Sequence, residues 1–270
     1  MSINKTIHYC WFGRGKKSDV IIKCMESWKK YMPDWEIIEW NEDNTDLSFC
    51  PFLIQAYESK KWAFVSDVIR LKAVYEYGGI YLDTDVEVFS SWESFLDNDA
   101  FFFFDNMTSI NTGKGFGAKK GCDIVRLMLN EYLQMEFDPE NASKFACPNL
   151  NTNVIKENVT GFISINSNQV IDNISYFDLE TYYKIGKHYG EASWMSEEQS
   201  KSLSYTKKEN KHSRIKHFLK NKKVYIFFQK HNLKKLEKIY TFLVYDLTDY
   251  GFKYWFFRFF YSIKNKIKKK

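Results

Sequence analysis

The sequence predicts an α/β domain followed by a basic, mainly helical extension, and three observations carry that expectation. Strand-like and helix-like segments alternate through the first sixty residues. A helical pattern then runs to a Gly78-Gly79 pair and is followed at once by a short apolar run. Charge, finally, divides the chain. Residues 207–270 hold 19 Lys and Arg against 4 Asp and Glu, whereas 1–206 hold 20 basic and 30 acidic residues, so the net charge of +5 conceals an acidic body and a basic tail. A chain of 270 residues is long enough for one buried core plus an appendage.

Taken in order, Thr6 to Phe12 (TIHYCWF) is β-branched and aromatic and reads as the first strand. Ser18 is placed to cap a helix that carries Val20, Ile21, Cys24, Met25 and Trp28 toward the core. Trp35 to Trp40 (WEIIEW) is a second strand, closed by the polar turn Asn41-Glu42-Asp43-Asn44. A short helix follows from Pro51 to Lys60, with proline at its first turn. This βαβα succession is the pattern of a nucleotide-binding α/β sheet. Further on, AFFFF at 100–104 reads as a fully buried strand, 113–118 as a glycine-rich loop into a short strand, and Cys122 to Met135 as an amphipathic helix. From Pro148 to Gly190 the chain reads as short strands and Asn-rich loops.

The stretch 63–89 organises the rest. Phe64, Val68, Leu71 and Tyr75 recur at the spacing of one helical face. Gly78-Gly79 stops the helix, because glycine adopts a left-handed C-cap without steric cost. Ile80, Tyr81 and Leu82 read as a short buried strand, with Asp83 and Asp85 at its end. On a strand, residues i and i+2 share a face. Two carboxylates that close repel unless a cation lies between them or one takes a proton. An isolated Asp-Thr-Asp reads more simply as a solvated strand end. The helix, Gly-Gly and strand ahead of this one favour an oxygen-seeking divalent cation that also carries a diphosphate. Asp67 and Arg70, at i and i+3, are helical neighbours whose simplest reading is an exposed ion pair worth some tenths of a kcal/mol. For Trp11 core packing is the commonest fate, although a flat indole also suits a nucleotide base. His8 reads as packing.

HYCWFG near the N-terminus, AFVSDVIRLKAVYEYGGIYLDTD in the middle and the Ser193-Trp194 pair resemble the bacterial glycosyltransferases of family 32, the DXD-sugar transferases. They resemble more distantly the glucosylating domains of the large clostridial toxins. The likeness runs over residues 5–195 in the same order. It implies a GT-A-type, nucleotide-sugar-binding fold for residues 1–206 and transfer that retains anomeric configuration. It further implies Mn2+ or Mg2+ held by Asp85 directly, with Asp83 toward the ribose and metal-bound water and His188 completing the metal shell. Asp83, Asp85, Asp67 and Arg70 become the catalytic set. Ser66, Asp67 and Arg70 match an SDxxR that holds the donor sugar. Trp11, with Phe12 beside it, matches a tryptophan that stacks on the base; stacking alone does not discriminate bases, and a UDP-sugar is the favoured donor. Tyr81 and Thr84 join the nucleotide-sugar set from within the same block. Asp105, Asn106 and Asn111 lie where such enzymes contact donor or acceptor, though a polar turn accounts for them equally well. Ser193 and Trp194 match a closing loop whose tryptophan covers the diphosphate. No nucleophile or base is assigned.

No stretch reaches about 18 uncharged apolar residues, the length of a membrane-spanning helix. The N-terminal MSINKTIHYCWF has no long apolar region, so no signal peptide is expected. Five cysteines (10, 24, 50, 122, 147), an odd number without a CxxC pair, read as reduced thiols of a cytoplasmic protein rather than a zinc site. Residues 207–270 interleave lysines with aromatics, and Trp255, Phe256, Phe259 and Phe260 cluster at helical spacing. That pattern fits a helix lying on an anionic membrane surface better than an ordinary helical subdomain. It would place the enzyme at the inner face of the cell membrane, beside a lipid-linked or surface-polysaccharide acceptor. Without an RNP, zinc or helix-turn-helix signature no nucleic-acid partner is expected. Two rival readings stand beside the transferase. A haloacid-dehalogenase-type phosphatase also follows a strand with DxD, but on its first strand, whereas about 80 residues precede the motif here. The other is a membrane or nucleic-acid adaptor with a degenerate transferase domain, against which the intact Asp83, Asp85, Asp67, Arg70 and Trp11 argue.

Overall fold

A computed structural model of the protein describes residues 2–190. The β-branched and aromatic run near the N-terminus forms β1, Thr6–Cys10, with every residue buried, as suits a strand covered on both faces. The Ser18 hydroxyl accepts from the Ile21 amide at 3.4 Å and caps α1, Asp19–Tyr31, which buries Ile21, Cys24 and Trp28. Helix α1 returns the chain to β2, Glu36–Trp40, parallel to β1 with Thr6 opposite Glu36. Two helices follow, α2 at Pro51–Glu58 and α3 at Trp62–Tyr77, and then β3, Gly79–Tyr81, parallel to the other side of β1.

Beyond β3 come β4, Val86–Val88, and β5, Ala100–Phe103, then β6, Phe116–Ala118, and α4, Asp123–Leu133. The region expected as strands and loops contains instead a further helix, α5, Cys147–Asn158. Its Asn-rich sequence has weak helix propensity. Pro148 in the first turn and the packing of α5 on α4 override it. The described chain ends with β7 (Gln169–Ile171), β8 (Ile174–Phe177), α6 (Leu179–Ile185) and β9 (Gly186–His188).

Seven strands form one sheet in the order β2-β1-β3-β6-β5-β8-β7, and β4 pairs with β9 in a separate ribbon. Strands β2, β1, β3, β5 and β8 run in one direction and β6 and β7 in the other. The sheet is therefore mostly parallel and reverses beside β3, a GT-A-like α/β arrangement that agrees with the expected fold class. The run of phenylalanines in β5 shows why the sheet is covered twice. Phe101 and Phe103 point to Trp92 and Phe95, while Phe102 stacks on Phe116 and Tyr176. Burying each such ring contributes about 1.5–3 kcal/mol.

Helix α3 departs from the single apolar stripe expected of it. Val65, Ile69, Ala73 and Val74 are buried along with Phe64, Val68 and Leu71, whereas Tyr75 is only half-buried. The helix is sandwiched, with β1 and β3 on one side and α2 and α4 on the other. Its end is as expected. Gly78 has φ 72° and donates its amide to the Val74 carbonyl at 2.8 Å. A Cβ there would come within 3.0 Å of the Asn4 side chain and the Lys120 amide. His8 is packing: the Trp40 indole donates to its Nδ1 at 3.1 Å. Nε2 therefore carries the proton and donates to the Gly78 carbonyl at 2.8 Å, tying β1 to the cap of α3. All five cysteines are free thiols. Among the described residues no helix is long and apolar enough to cross a membrane. Ser193, Trp194 and the basic extension 207–270 lie outside the described residues.

Candidate functional site

The Asp83-Thr84-Asp85 motif does not continue β3 as a strand. It forms a turn in which the Val86 amide donates to the Asp83 carbonyl at 3.0 Å, so the two acids converge by turn geometry rather than by strand alternation. Both flanks of the turn are anchored. On the way in, the Leu82 amide donates to His8 O at 3.1 Å, extending the pairing with β1. On the way out, the Trp28 indole donates to Val86 O at 2.7 Å, and Ser27 Oγ accepts from the Val88 amide at 3.0 Å. Helix α1 thus clamps β4.

His188 reaches the turn from a distant part of the sequence. It sits on a strand rather than the expected loop: β9 pairs antiparallel with β4, placing His188 opposite Val86. Its Nε2 lies 3.1 Å from Asp85 Oδ1 and 3.8 Å from Asp83 Oδ2. One ligand atom from each of Asp83, Asp85 and His188 falls within 4.8 Å of the others. Burial pushes the His188 imidazole toward its neutral form, but the Asp85 hydrogen bond and the charges of Asp85, Asp83 and Asp105 outweigh it and raise the pKa. Two carboxylates and one imidazole are a donor set suited to a small divalent cation. Three protein ligands are fewer than such a cation takes, so water or a ligand would complete its shell.

Arg70 organises the other side of the turn. It is buried, as is Asp67 one helical turn earlier, so the exposed ion pair expected of them is corrected to an internal one. Its Nη1 lies 2.9 Å from Asp67 Oδ1 and its Nη2 2.9 Å from Asp83 Oδ1. The Tyr81 hydroxyl donates to that same Asp83 oxygen at 2.9 Å, and the guanidinium carbon stands 4.8 Å from the Tyr81 ring centroid. Asp83 Oδ1 is thereby occupied, and Oδ2 is the atom left facing His188. Burial raises the Asp67 carboxyl to about 6 against the opposing pull of Arg70. Asp83 is likewise raised by burial, with Arg70 and His188 opposing.

The remaining candidates occupy three kinds of position. Trp11 follows β1, half-buried, its indole donating to Gly15 O at 2.8 Å with Lys17 Nζ 5.1 Å from the ring. Phe12 is turned into the interior. Ser66 is half-buried and back-bonds to Trp62 O at 3.0 Å, and Thr84 stands half-buried at the turn. Asn106 is exposed, and its Oδ1 accepts from the Thr108 and Ser109 amides at 2.9 and 3.0 Å, a polar turn closed on itself. Asn111 accepts from the Gly113 amide at 2.8 Å and caps the short 3-10 turn Thr112–Lys114. Asp105 is half-buried, with Oδ1 3.8 Å from Lys114 Nζ.

Three residues beside the site escape sequence reasoning. Asn151 on α5 is buried and donates to Thr112 Oγ1 at 2.9 Å, the atom Arg70 Nη1 also approaches at 3.4 Å. Lys114 is fully buried. Gly113 accepts the Asp83 amide on its carbonyl at 3.1 Å, and a Cβ there would lie closer than 3.0 Å to Asp83 Oδ2. Only the glycine-rich character of 113–117 hinted at any of them.

Residues 18–102 match the family model described as the glycosyltransferase sugar-binding region containing DXD motif. The matched block runs from the cap of α1 into β5 and includes Asp67, Arg70, Asp83 and Asp85. No curated protein matches the chain. Among solved structures it is similar to the PaToxG glycosyltransferase, at 20% identity over 59% of this chain and 70% of that one, with a TM-score of 0.47. It is also similar to a glycosyltransferase involved in glycosylation of the major capsid of PBCV-1, at 15% identity over 74% of this chain and 99% of that one, with a TM-score of 0.38. The DXD sugar-binding region supports a transferase, with a sugar donor and an acceptor as its partners.

Proposed function

We propose that the chain is a metal-dependent, retaining glycosyltransferase that moves a hexose or N-acetylhexosamine from a nucleotide-sugar, UDP-linked by preference, to a lipid-linked or surface-polysaccharide acceptor. The observation that carries this reading is the meeting of Asp83, Asp85 and His188 beside the Asp67–Arg70 pair. A divalent cation bound there supplies positive charge to the leaving diphosphate. The protein's own groups do the rest. Asp85 and the Oδ2 of Asp83 hold the cation with His188. Arg70 and Tyr81 fix the Asp83 carboxylate in one orientation. Asp67 and Ser66, consecutive on α3, hold sugar hydroxyls, and Trp11 at the end of β1 offers a flat face for the base. Ser193 and Trp194 close over the diphosphate. Residues 1–206 form the catalytic domain, and 207–270 dock it on the inner face of the cell membrane, where basic residues near an anionic leaflet contribute about 1 kcal/mol each.

A thermal-shift panel of UDP- and GDP-sugars, with and without Mn2+, tests the reading. Stabilisation by one nucleotide class that requires Mn2+ and disappears in Asp85→Asn is the expected result. No metal-dependent shift with any sugar nucleotide would sink it. The membrane part is tested separately: a chain lacking 207–270 should no longer sediment with anionic vesicles.

A further inference from the structure

The ribbon that carries His188 is short and has little on its packed side to fix its register. Strands β4 and β9 pair with Val86 opposite His188, Glu87 opposite Lys187 and Val88 opposite Gly186. A two-stranded ribbon of that length is marginal without outside support. Alternation gives it two faces. Val86 and Val88 are buried on one of them, where β9 sets Gly186 and His188 rather than apolar side chains. Register is weakly specified in such strands, and a slip by one residue would turn His188 to the other face. The backbone holds the two ends. The Phe89 amide donates to Ile185 O at 2.8 Å, and the Tyr189 amide donates to Asp85 O at 3.0 Å.

Side chains on the opposite face supply a tie. The Tyr189 hydroxyl donates to Glu87 Oε2 at 2.7 Å. Lys23 of α1 donates to the same oxygen at 3.1 Å, lies 2.9 Å from Oε1 and reaches the Tyr189 hydroxyl at 3.4 Å. Lys187 Nζ stands 3.9 Å from the centroid of the Tyr189 ring. One carboxylate therefore joins α1, β4 and β9, diagonally across the ribbon and one residue beyond His188. Its side chain is 16% exposed against 61% for Lys23, so the bond to Tyr189 is the sheltered part of the junction. A phenylalanine would offer Lys187 the same ring, so packing does not call for the hydroxyl.

We propose that Tyr189 and Glu87 are positioning residues for the metal site. Their hydrogen bond locks β9 in register on β4 and so holds His188 Nε2 at Asp85 and Asp83, 3.1 and 3.8 Å away. Groups that orient a metal-ligating histidine commonly weigh about tenfold to a hundredfold in metal affinity. The proposal rests on the reading of Asp83, Asp85 and His188 as cation ligands above.

The test measures Mn2+ binding to the full chain by electron paramagnetic resonance, with no sugar nucleotide present. Wild type, Tyr189→Phe, His188→Ala and the pair form a double-mutant cycle. Tyr189→Phe is expected to weaken Mn2+ binding about tenfold, and no more than His188→Ala does. In the His188→Ala background it should change affinity by less than about twofold, because its effect passes through the imidazole. A pulsed measurement shows nitrogen modulation when an imidazole ligates Mn2+. That modulation should be present in the wild type, absent in His188→Ala and diminished in Tyr189→Phe. Glu87→Gln, which keeps an acceptor without the charge, should fall between wild type and Tyr189→Phe. It replaces Tyr189→Phe in the cycle should that variant not fold. Lys23→Met should stay within about twofold of wild type, as an exposed pairing does. Wild-type affinity and full nitrogen modulation in Tyr189→Phe would overturn the proposal. So would an equal loss with and without His188, or a loss in Lys23→Met as large as that in Tyr189→Phe. His188→Ala with wild-type affinity would take His188 out of the site and the proposal with it. A wild type that binds no Mn2+ removes the metal reading and the proposal together, whereas Mn2+ binding untouched by Tyr189→Phe removes the proposal alone.

Discussion

Asp83 and His188 face the same small volume, yet the chain delivers them by opposite routes. Residues 62–88 are one continuous passage: a helix, a glycine stop, a three-residue strand, a turn and a second short strand. Its charged groups answer one another locally, Asp67 through Arg70 to Asp83, all buried or nearly so. Residues 104–188 contribute by packing. Lys114 is boxed by Tyr182 and Tyr183, Asn151 reaches in from α5, and His188 arrives only because β9 pairs with β4. The first region carries its own order in its charges, and the second borrows order from aromatic contacts and strand pairing. Changes to the Arg70 network should act on folding and on the metal together, while changes at Asp85, which stands outside that network, and in the second region should act on the metal or the ligand with less cost to the fold.

The sharpest way to break this contrast is Arg70→Met. It strands two carboxylates, one fully buried, and should cost about 3–5 kcal/mol of unfolding free energy in urea titration. A loss under about 1 kcal/mol would mean that the passage is not held by its charges. Next comes Asp85→Asn, which leaves the Arg70 network intact. Folding should be retained while Mn2+-dependent donor turnover falls about a hundredfold to a thousandfold. Turnover within tenfold of wild type would remove this acid from the metal site.

A third prediction concerns pH. Asp67 has its carboxyl raised to about 6 by burial, above the ordinary value of about 3.9. The folded state therefore binds this proton more tightly than the unfolded state, and the group's contribution is full below about pH 4 and is lost as pH rises through about 6. The unfolding free energy of the wild type minus that of Asp67→Asn should fall by up to about 3 kcal/mol between pH 4 and 7. A flat difference would contradict the burial of the carboxylate. The smallest effect is expected from Gly113→Ala, which introduces a Cβ against Asp83 Oδ2 and should cost about 1–3 kcal/mol. Its distinguishing mark is weaker Mn2+ binding, since the displaced oxygen is the one that faces His188. Unchanged Mn2+ affinity would make Gly113 a matter of packing only.

Local signals were legible wherever the responsible atoms lie close along the chain. Ser18 caps α1, Gly78 ends α3, and the phenylalanines of β5 form a buried strand, each for a reason contained in a few consecutive residues. The three-residue step from Asp67 to Arg70 also predicted their pairing, but not its burial, because exposure depends on what α2 and α4 cover. The DxD was legible as a motif and misread as a strand end, since the hydrogen bond that makes it a turn forms only where β4 leaves the main sheet. Helix α5 was hidden because its asparagines argue against a helix when α4 is not there to pack on it.

By itself, the order of residues determined the α/β alternation, the helix–glycine–strand passage and the presence of two acids with a basic partner on the preceding helix. These follow from steric and hydrophobic preferences acting over a handful of neighbours. Only the tertiary structure decided that Asp83 spends one oxygen on Arg70 and Tyr81, that His188 faces the other, and that Lys114 is buried beside Asp105. Those contacts join residues up to 105 positions apart, between Asp83 and His188. Which distant groups meet is set by sheet order and by which surfaces become covered, and neither is written in the spacing of neighbouring residues.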